Sequence, residues 1–154
     1  YGPTTTYGEA ARHLDKEGWT VADWGCGAAA AKSYFKHAKY VGVDGSPGFA
    51  DKVADLREYH EPSDGVLLRH VLEHNYDWPE ILINALEAAR KRLVIILFLH
   101  VFLPLIGFLG IYIHGLRLSR AKWWSPRWVS IQATVGLIVL SLIKPAASAA
   151  PADS

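Results

Sequence analysis

The chain has 154 residues, 16 Lys and Arg against 15 Asp and Glu, and a formal net charge of +1. That length holds one domain, or one small domain with an appendage, and the near-even charge excludes a global field that would draw it to nucleic acid. The single cysteine, Cys26, excludes an internal disulfide and fits a reducing compartment.

Hydrophobic residues make up 51% of the chain and are unevenly spread. Up to Arg92 the pattern is mixed; beyond it there is one acid, Asp153, and two long apolar runs. No Met occurs and the chain opens on Tyr1, so the N-terminus reads as processed, trimmed or part of a fragment, and no signal peptide is visible there.

In chain order, Glu9–Lys16 predicts a helix with Ala10, Ala11 and Leu14 on one side, ended by Gly18. Trp19–Trp24 predicts a strand. Ala28–His37, rich in alanine, predicts a helix. Tyr40–Val43 predicts a short buried strand closed by Gly45, Ser46, Pro47 and Gly48. Lys52–Leu56 and Asp64–His70 predict a third and a fourth strand. Asp77 reads as the cap of a helix that has Pro79 in its first turn and runs to about Arg90. Leu93–Phe98 completes five strands. Strands alternating with helices predict an α/β fold with a parallel sheet.

In such a sheet, ligands bind beyond the C-terminal strand ends, where the strand order reverses. Gly25 and Gly27 follow the first strand and allow a sharp turn with close backbone approach. Asp44, 17 residues after Gly27, ends the second strand and can accept two hydrogen bonds from a diol. Asp55 ends the third.

The segments "VADWGCGAAA", "YVGVDGS", "VADL" and "DGVLLRHVLEHN" resemble the class I S-adenosylmethionine-dependent methyltransferases over about residues 5–98. The resemblance implies a Rossmann-like core that binds S-adenosylmethionine. The expected cofactor-binding residues are Asp23, Gly25, Cys26, Gly27, Asp44, Gly45, Ser46, Asp55, Leu56 and Arg69. Asp44 would hold the ribose and Asp55 the adenine end, with Leu72, Glu73 and His74 beside the methyl donor. His70 or His74 is the candidate base; Cys26 reads as a packed small residue rather than a nucleophile, and no metal is expected. The acceptor implied is a small or lipid-linked molecule, with no nucleic acid, because no Asn/Asp-Pro-Pro-aromatic motif follows the fourth strand. Three departures stand out. Ala29 replaces the family's third glycine. The helix between the second and third strands shrinks to Phe49–Lys52 at most. Nothing after Phe98 reads as the family's further helix and antiparallel strand pair.

Leu99–Ile113 and Val129–Ile143 predict instead an apolar C-terminal helical hairpin, each arm 15 residues and short for a membrane span. Arg117, Arg120, Lys122 and Arg127 lie between them. Spanning arms would put these bases opposite a cytoplasmic cofactor-binding domain, against the positive-inside tendency. The expectation is a hairpin lying in the cytoplasmic membrane interface, with Trp123, Trp124 and Trp128 at headgroup depth. The division expected is 1–98, a cofactor-binding domain; 99–143, a membrane-associated hairpin; and 144–154, a flexible tail. Residues 99–154 also resemble a cytochrome b transmembrane segment, with Pro104 four residues after His100 and with His100 and His114 spaced to ligate two haem b groups. That resemblance implies the alternative of a membrane electron-transfer subunit or fragment, two unlike pieces joining near Phe98. A non-catalytic cofactor-binding fold is the third reading.

Overall fold

The computed structural model describes residues 5–98, 129–134 and 137–143. Helix α1 is Thr5–Leu14; strands β1 to β4 are Thr20–Trp24, Lys39–Asp44, Lys52–Val53 and Ser63–Arg69. Helix α2, Trp78–Ala88, runs directly into β5, Ala89–Phe98; β6 and β7 are Val129–Thr134 and Leu137–Ile143. Among the described residues the sheet has seven strands, in the order β3-β2-β1-β4-β5-β7-β6. Strands β1 to β5 are parallel, and β7 lies antiparallel between β5 and β6.

Side chains alternate across the sheet because a strand has a period of two. Ala22, Trp24, Val66, Leu68, Leu93, Ile95 and Leu97 face α2, where Ile81, Leu82 and Ala85 meet them. Val21, Leu67, Val94 and Ile96 face α1 and its Ala10 and Leu14. Each fully buried Leu, Ile or Val contributes roughly 1.5–3 kcal/mol. Strand order reverses between β1 and β4, so the crevice opens there, at the C-terminal strand ends.

Several expected elements differ. The second apolar run, Val129–Ile143, is not a helix arm: it forms β6 and β7, paired from Val129↔Leu142 to Thr134↔Leu137. Its apolar residues Val129, Ile131 and Ala133 alternate with Ser130, Gln132 and Thr134, which is the period of a strand. β5 also needs an outer neighbour, since an apolar edge is a template for aggregation. The sheet thus has seven strands rather than five. The first run, 99–113, lies outside the described residues, as do the interfacial tryptophans, the basic loop and the tail from 144.

The helix expected over Ala28–His37 is only a 3-10 turn, Ala30–Tyr34. The Asp15 carboxylate explains the stop. It accepts the N–H groups of Lys36, His37 and Ala38 at 3.0, 2.8 and 2.8 Å, pulling the chain out of the helix and into β2. The third strand keeps two residues, because Asp55 and Arg57 close a local side-chain turn immediately after it.

Candidate functional site

A cleft of about 520 Å³ opens at the switch point. Among the expected cofactor residues, Gly25, Asp44, Gly45, Asp55 and Leu56 line it, and His70 joins them from the end of β4. Arg57, Asn75 and Asp77 add polar groups, and Val71 and Ile81 apolar ones. Asp23, Cys26, Gly27, Ser46, Arg69 and His74 are not among its lining residues.

The loop after β1 is built by left-handed backbone. Gly25, Gly27 and Ala29 all have positive φ, at 74°, 52° and 52°. The N–H groups of Gly25 and Cys26 donate to Val43 O at 2.7 and 3.2 Å, folding the loop over the end of β2. A Cβ on Gly25 would stand 2.5 Å from Val71 Cγ2, so glycine is required there by both space and dihedral angle. Ala29, in the place of the family's third glycine, takes a conformation that costs a non-glycine residue about 1–2 kcal/mol.

Asp44 is held from both sides. Its Oδ2 accepts the Gly27 N–H at 2.9 Å and its Oδ1 the Ser46 N–H at 2.9 Å. Gly27 and Ser46 thus orient the carboxylate without lining the cleft. Asp55 has a different occupation. Arg57 donates to it from its backbone N–H at 2.9 Å, from Nε at 3.0 Å to each oxygen, and from Nη2 at 2.5 Å. These bonds hold the Asp55 carboxyl down to about 2. The same guanidinium donates from Nη1 to Asp77 at 3.2 Å, tying the loop after β3 to the start of α2. Asp77 therefore serves Arg57 and makes no side-chain cap bond to α2.

His70 leaves β4 with a left-handed backbone, φ 56°. Its N–H donates to Ile96 O at 3.0 Å, and its Nδ1 lies 2.8 Å from Glu73 Oε1. The two side chains are 9% and 4% exposed. His74 ends the 3-10 turn Leu72–His74 and is exposed. Asn75 follows it, and its Nδ2 donates to Val71 O at 2.6 Å.

Asp23, Arg69 and Tyr40 belong to the other face. Tyr40 Oη donates to Asp23 Oδ2 at 2.5 Å. Burial pushes the Asp23 carboxyl up to about 7, although Tyr40 and the charge of Arg69 work against that rise. Arg69 donates from Nε to Thr6 Oγ1 at 2.7 Å, and its guanidinium sits 4.0 Å above the Tyr7 ring. Both contacts lie on α1, so Arg69 ties the helix to β4. Cys26 is half-buried, with its Sγ in the space beside Gly42, 2.9 Å from where a Cβ would stand.

Reading the sequence alone missed Arg57, Asn75 and Asp77 as lining residues. Arg57 carried a signal: an Asp with an Arg two places on is the spacing of a local side-chain-to-backbone turn.

No protein-family model matches the sequence, and no curated protein matches it. Solved structures do match. The N-methyltransferase NodS of Bradyrhizobium japonicum, with S-adenosyl-L-homocysteine, aligns with a TM-score of 0.63 at 12% identity, over 92% of this chain and 87% of its own. The fold is that of the class I S-adenosylmethionine-dependent methyltransferases. Two further methyltransferases share it. The 1,6-didemethyltoxoflavin-N1-methyltransferase of Burkholderia thailandensis has a TM-score of 0.64 at 17% identity, over 92% of this chain and 77% of its own. The magnesium protoporphyrin IX methyltransferase of Synechocystis has a TM-score of 0.56 at 17% identity, over 91% and 80%.

The methyltransferase fold accounts for β6 and β7, the antiparallel pair that the sequence reading did not find after Phe98. The resemblance to a cytochrome b segment has no counterpart in these matches, and its second helix falls on those two strands. His100 and His114, its haem ligands, lie outside the described residues. Among the described residues, no helix is long and apolar enough to cross a membrane.

Proposed function

We propose that the chain is an S-adenosylmethionine-dependent methyltransferase acting on a small-molecule acceptor. The observation that carries this reading is Asp44. It stands at the end of β2 beside the switch-point crevice, fixed by two backbone N–H groups. A carboxylate has about four lone-pair sites, so two remain to accept from a ribose diol. The loop of Gly25 and Gly45 brings backbone close to the same cleft, and about 520 Å³ lies in the range of small-ligand pockets.

The residues fit the cofactor at its ribose end. At the adenine end Asp55 is engaged by Arg57, so Leu56, Ile81 and the planar guanidinium of Arg57 offer the recognition surface there. Bound in the cleft, S-adenosylmethionine supplies an electrophilic methyl group: an acceptor lone pair forms the new bond to carbon as the C–S pair returns to sulfur. The protein's part is alignment, exclusion of water and removal of a proton. Of the two histidines expected as the base, His70 lines the cleft and His74 does not; the ring of His70 meets Glu73 at Nδ1 and has its Nε2 buried. The small acceptor is supported by the Burkholderia and Synechocystis matches, whose names carry small-molecule acceptors.

Calorimetric titration with S-adenosylhomocysteine tests the reading. Asp44→Ala removes hydrogen bonds to a charged acceptor, worth about 1.5–3 kcal/mol each, and is expected to weaken binding more than tenfold. Equal affinity in the variant would remove the ribose assignment.

A further inference from the structure

We propose that Arg57, rather than Asp55, is the residue that meets the purine ring of the bound cofactor, so that the cleft takes a 6-oxo purine about as well as a 6-amino one. The proposal rests on the reading of the cleft as a methyl-transfer site with Asp55 at its adenine end.

A free Asp55 would be an acceptor for the 6-amino group, but both of its oxygens are already engaged. Oδ1 takes the backbone N–H of Arg57 at 2.9 Å and Nε at 3.0 Å; Oδ2 takes Nε at 3.0 Å and Nη2 at 2.5 Å. The backbone bond closes a local side-chain turn, so carboxylate and guanidinium are placed together by the chain itself. Arg57 is anchored a second time, from Nη1 to Asp77 Oδ2 at 3.2 Å. Isolated exposed ion pairs are weak, but a forked guanidinium contact within a network of several charges is the arrangement that holds. Asp55, Arg57 and Asp77 all line the cleft, with side chains 41%, 51% and 53% exposed, so a ligand meets this network directly.

A guanidinium has five N–H groups. Nε gives its one to Asp55, Nη2 gives one of two to Asp55, and Nη1 gives one of two to Asp77. Among the described residues, one N–H on each terminal nitrogen is left for a ligand. The network therefore offers a donor where a free Asp55 would offer an acceptor. A 6-amino group donates and a 6-oxo group accepts. A free carboxylate would bond the first and repel the second. The guanidinium can donate to a ring nitrogen or to an exocyclic oxygen, and its plane can stack on the purine. Stacking is indifferent to the substituent, because every base has a π-face. Neither contact needs the amino group.

The test is calorimetric titration of the full chain with S-adenosylhomocysteine and with S-inosylhomocysteine, in which a 6-oxo group and an N1–H replace the 6-amino group. The two affinities are expected to lie within about fivefold of each other, less than one hydrogen bond to a charged group supplies. Arg57→Ala uncovers Asp55 and is expected to open a preference for the adenine ligand of about tenfold or more. A preference beyond about fivefold for either ligand in the parent chain overturns the proposal, whether or not the Ala variant folds. So does an Ala variant whose ratio equals that of the parent. Failure of the parent chain to bind either ligand counts instead against the methyl-transfer reading beneath it.

Discussion

Burial on the α1 face of β1 raises the carboxyl of Asp23 to about 7. A raised acid favours the protonated folded state. Its contribution is fully present below the unfolded pKa and is lost as pH rises through about 7. The loss amounts to roughly a few kcal/mol between pH 4 and pH 8. Asp23→Asn does not titrate. Its stability relative to the parent is expected to rise by that amount across this range, read by urea unfolding at the two pH values. A constant difference would contradict the assigned burial. Burial likewise pushes the Cys26 thiol up, to about 11, helped by the charges of Asp23 and Asp44. The thiolate is the reactive form, so labelling by a thiol reagent is expected to be slow at pH 7–8 and to accelerate only as pH approaches 11. Fast labelling at pH 7 would place Cys26 elsewhere. Asp44 could be read from the sequence because its position at a strand end follows from the apolar run before it. The bond between Arg57 and Asp55 was signalled only by its local spacing, and the bond between Glu73 and His70 not at all. They depend on local turns that no hydrophobic period encodes.

At the level of elements, the strands β1, β2, β4 and β5 could be read because each is an apolar run bounded by turn residues. The Ala28–His37 segment could not, since four alanines favour a helix locally while Asp15, 21 to 23 residues away, claims the backbone that would extend it. Burial raises the Asp15 carboxyl, but its bonds to Ala38, Lys36 and His37 outweigh that, and the net shift is downward. Its contribution is therefore present above pH 3.8 and lost as pH falls further. Asp15→Ala removes three bonds to a charged acceptor at a partly exposed site. The expected cost at pH 7 is about 1–3 kcal/mol, and it is expected to be smaller at pH 2. Chemical denaturation at both values checks it; an undiminished cost at pH 2 would mean that the charge is not what matters.

Across the whole molecule, the feature that escaped the sequence reading is the closing pair of strands. A 15-residue apolar run has the length of a short helix and the composition of a buried strand, and composition alone does not decide. Topology does: β5 is apolar on both faces and is completed only when β7 lies beside it from Arg92↔Ile143 to Phe98↔Leu137. Leu142 is 2% exposed and packs into the α2 core. Leu142→Ala is expected to cost about 2–5 kcal/mol and to lower the melting temperature of the whole domain, including α2. Loss of less than 1 kcal/mol would argue that the pair is not part of the cooperative unit. The strand order also has a consequence for biosynthesis. β7 sits inside β6, so the ribosome must deliver the sheet's last neighbour before the penultimate one can dock. Ile143 follows Phe98 by 45 positions. At about 5–20 residues per second, the outer edge of β5 waits roughly 2–9 s after leaving the exit tunnel, an interval in which a nascent-chain chaperone has an apolar strand to hold.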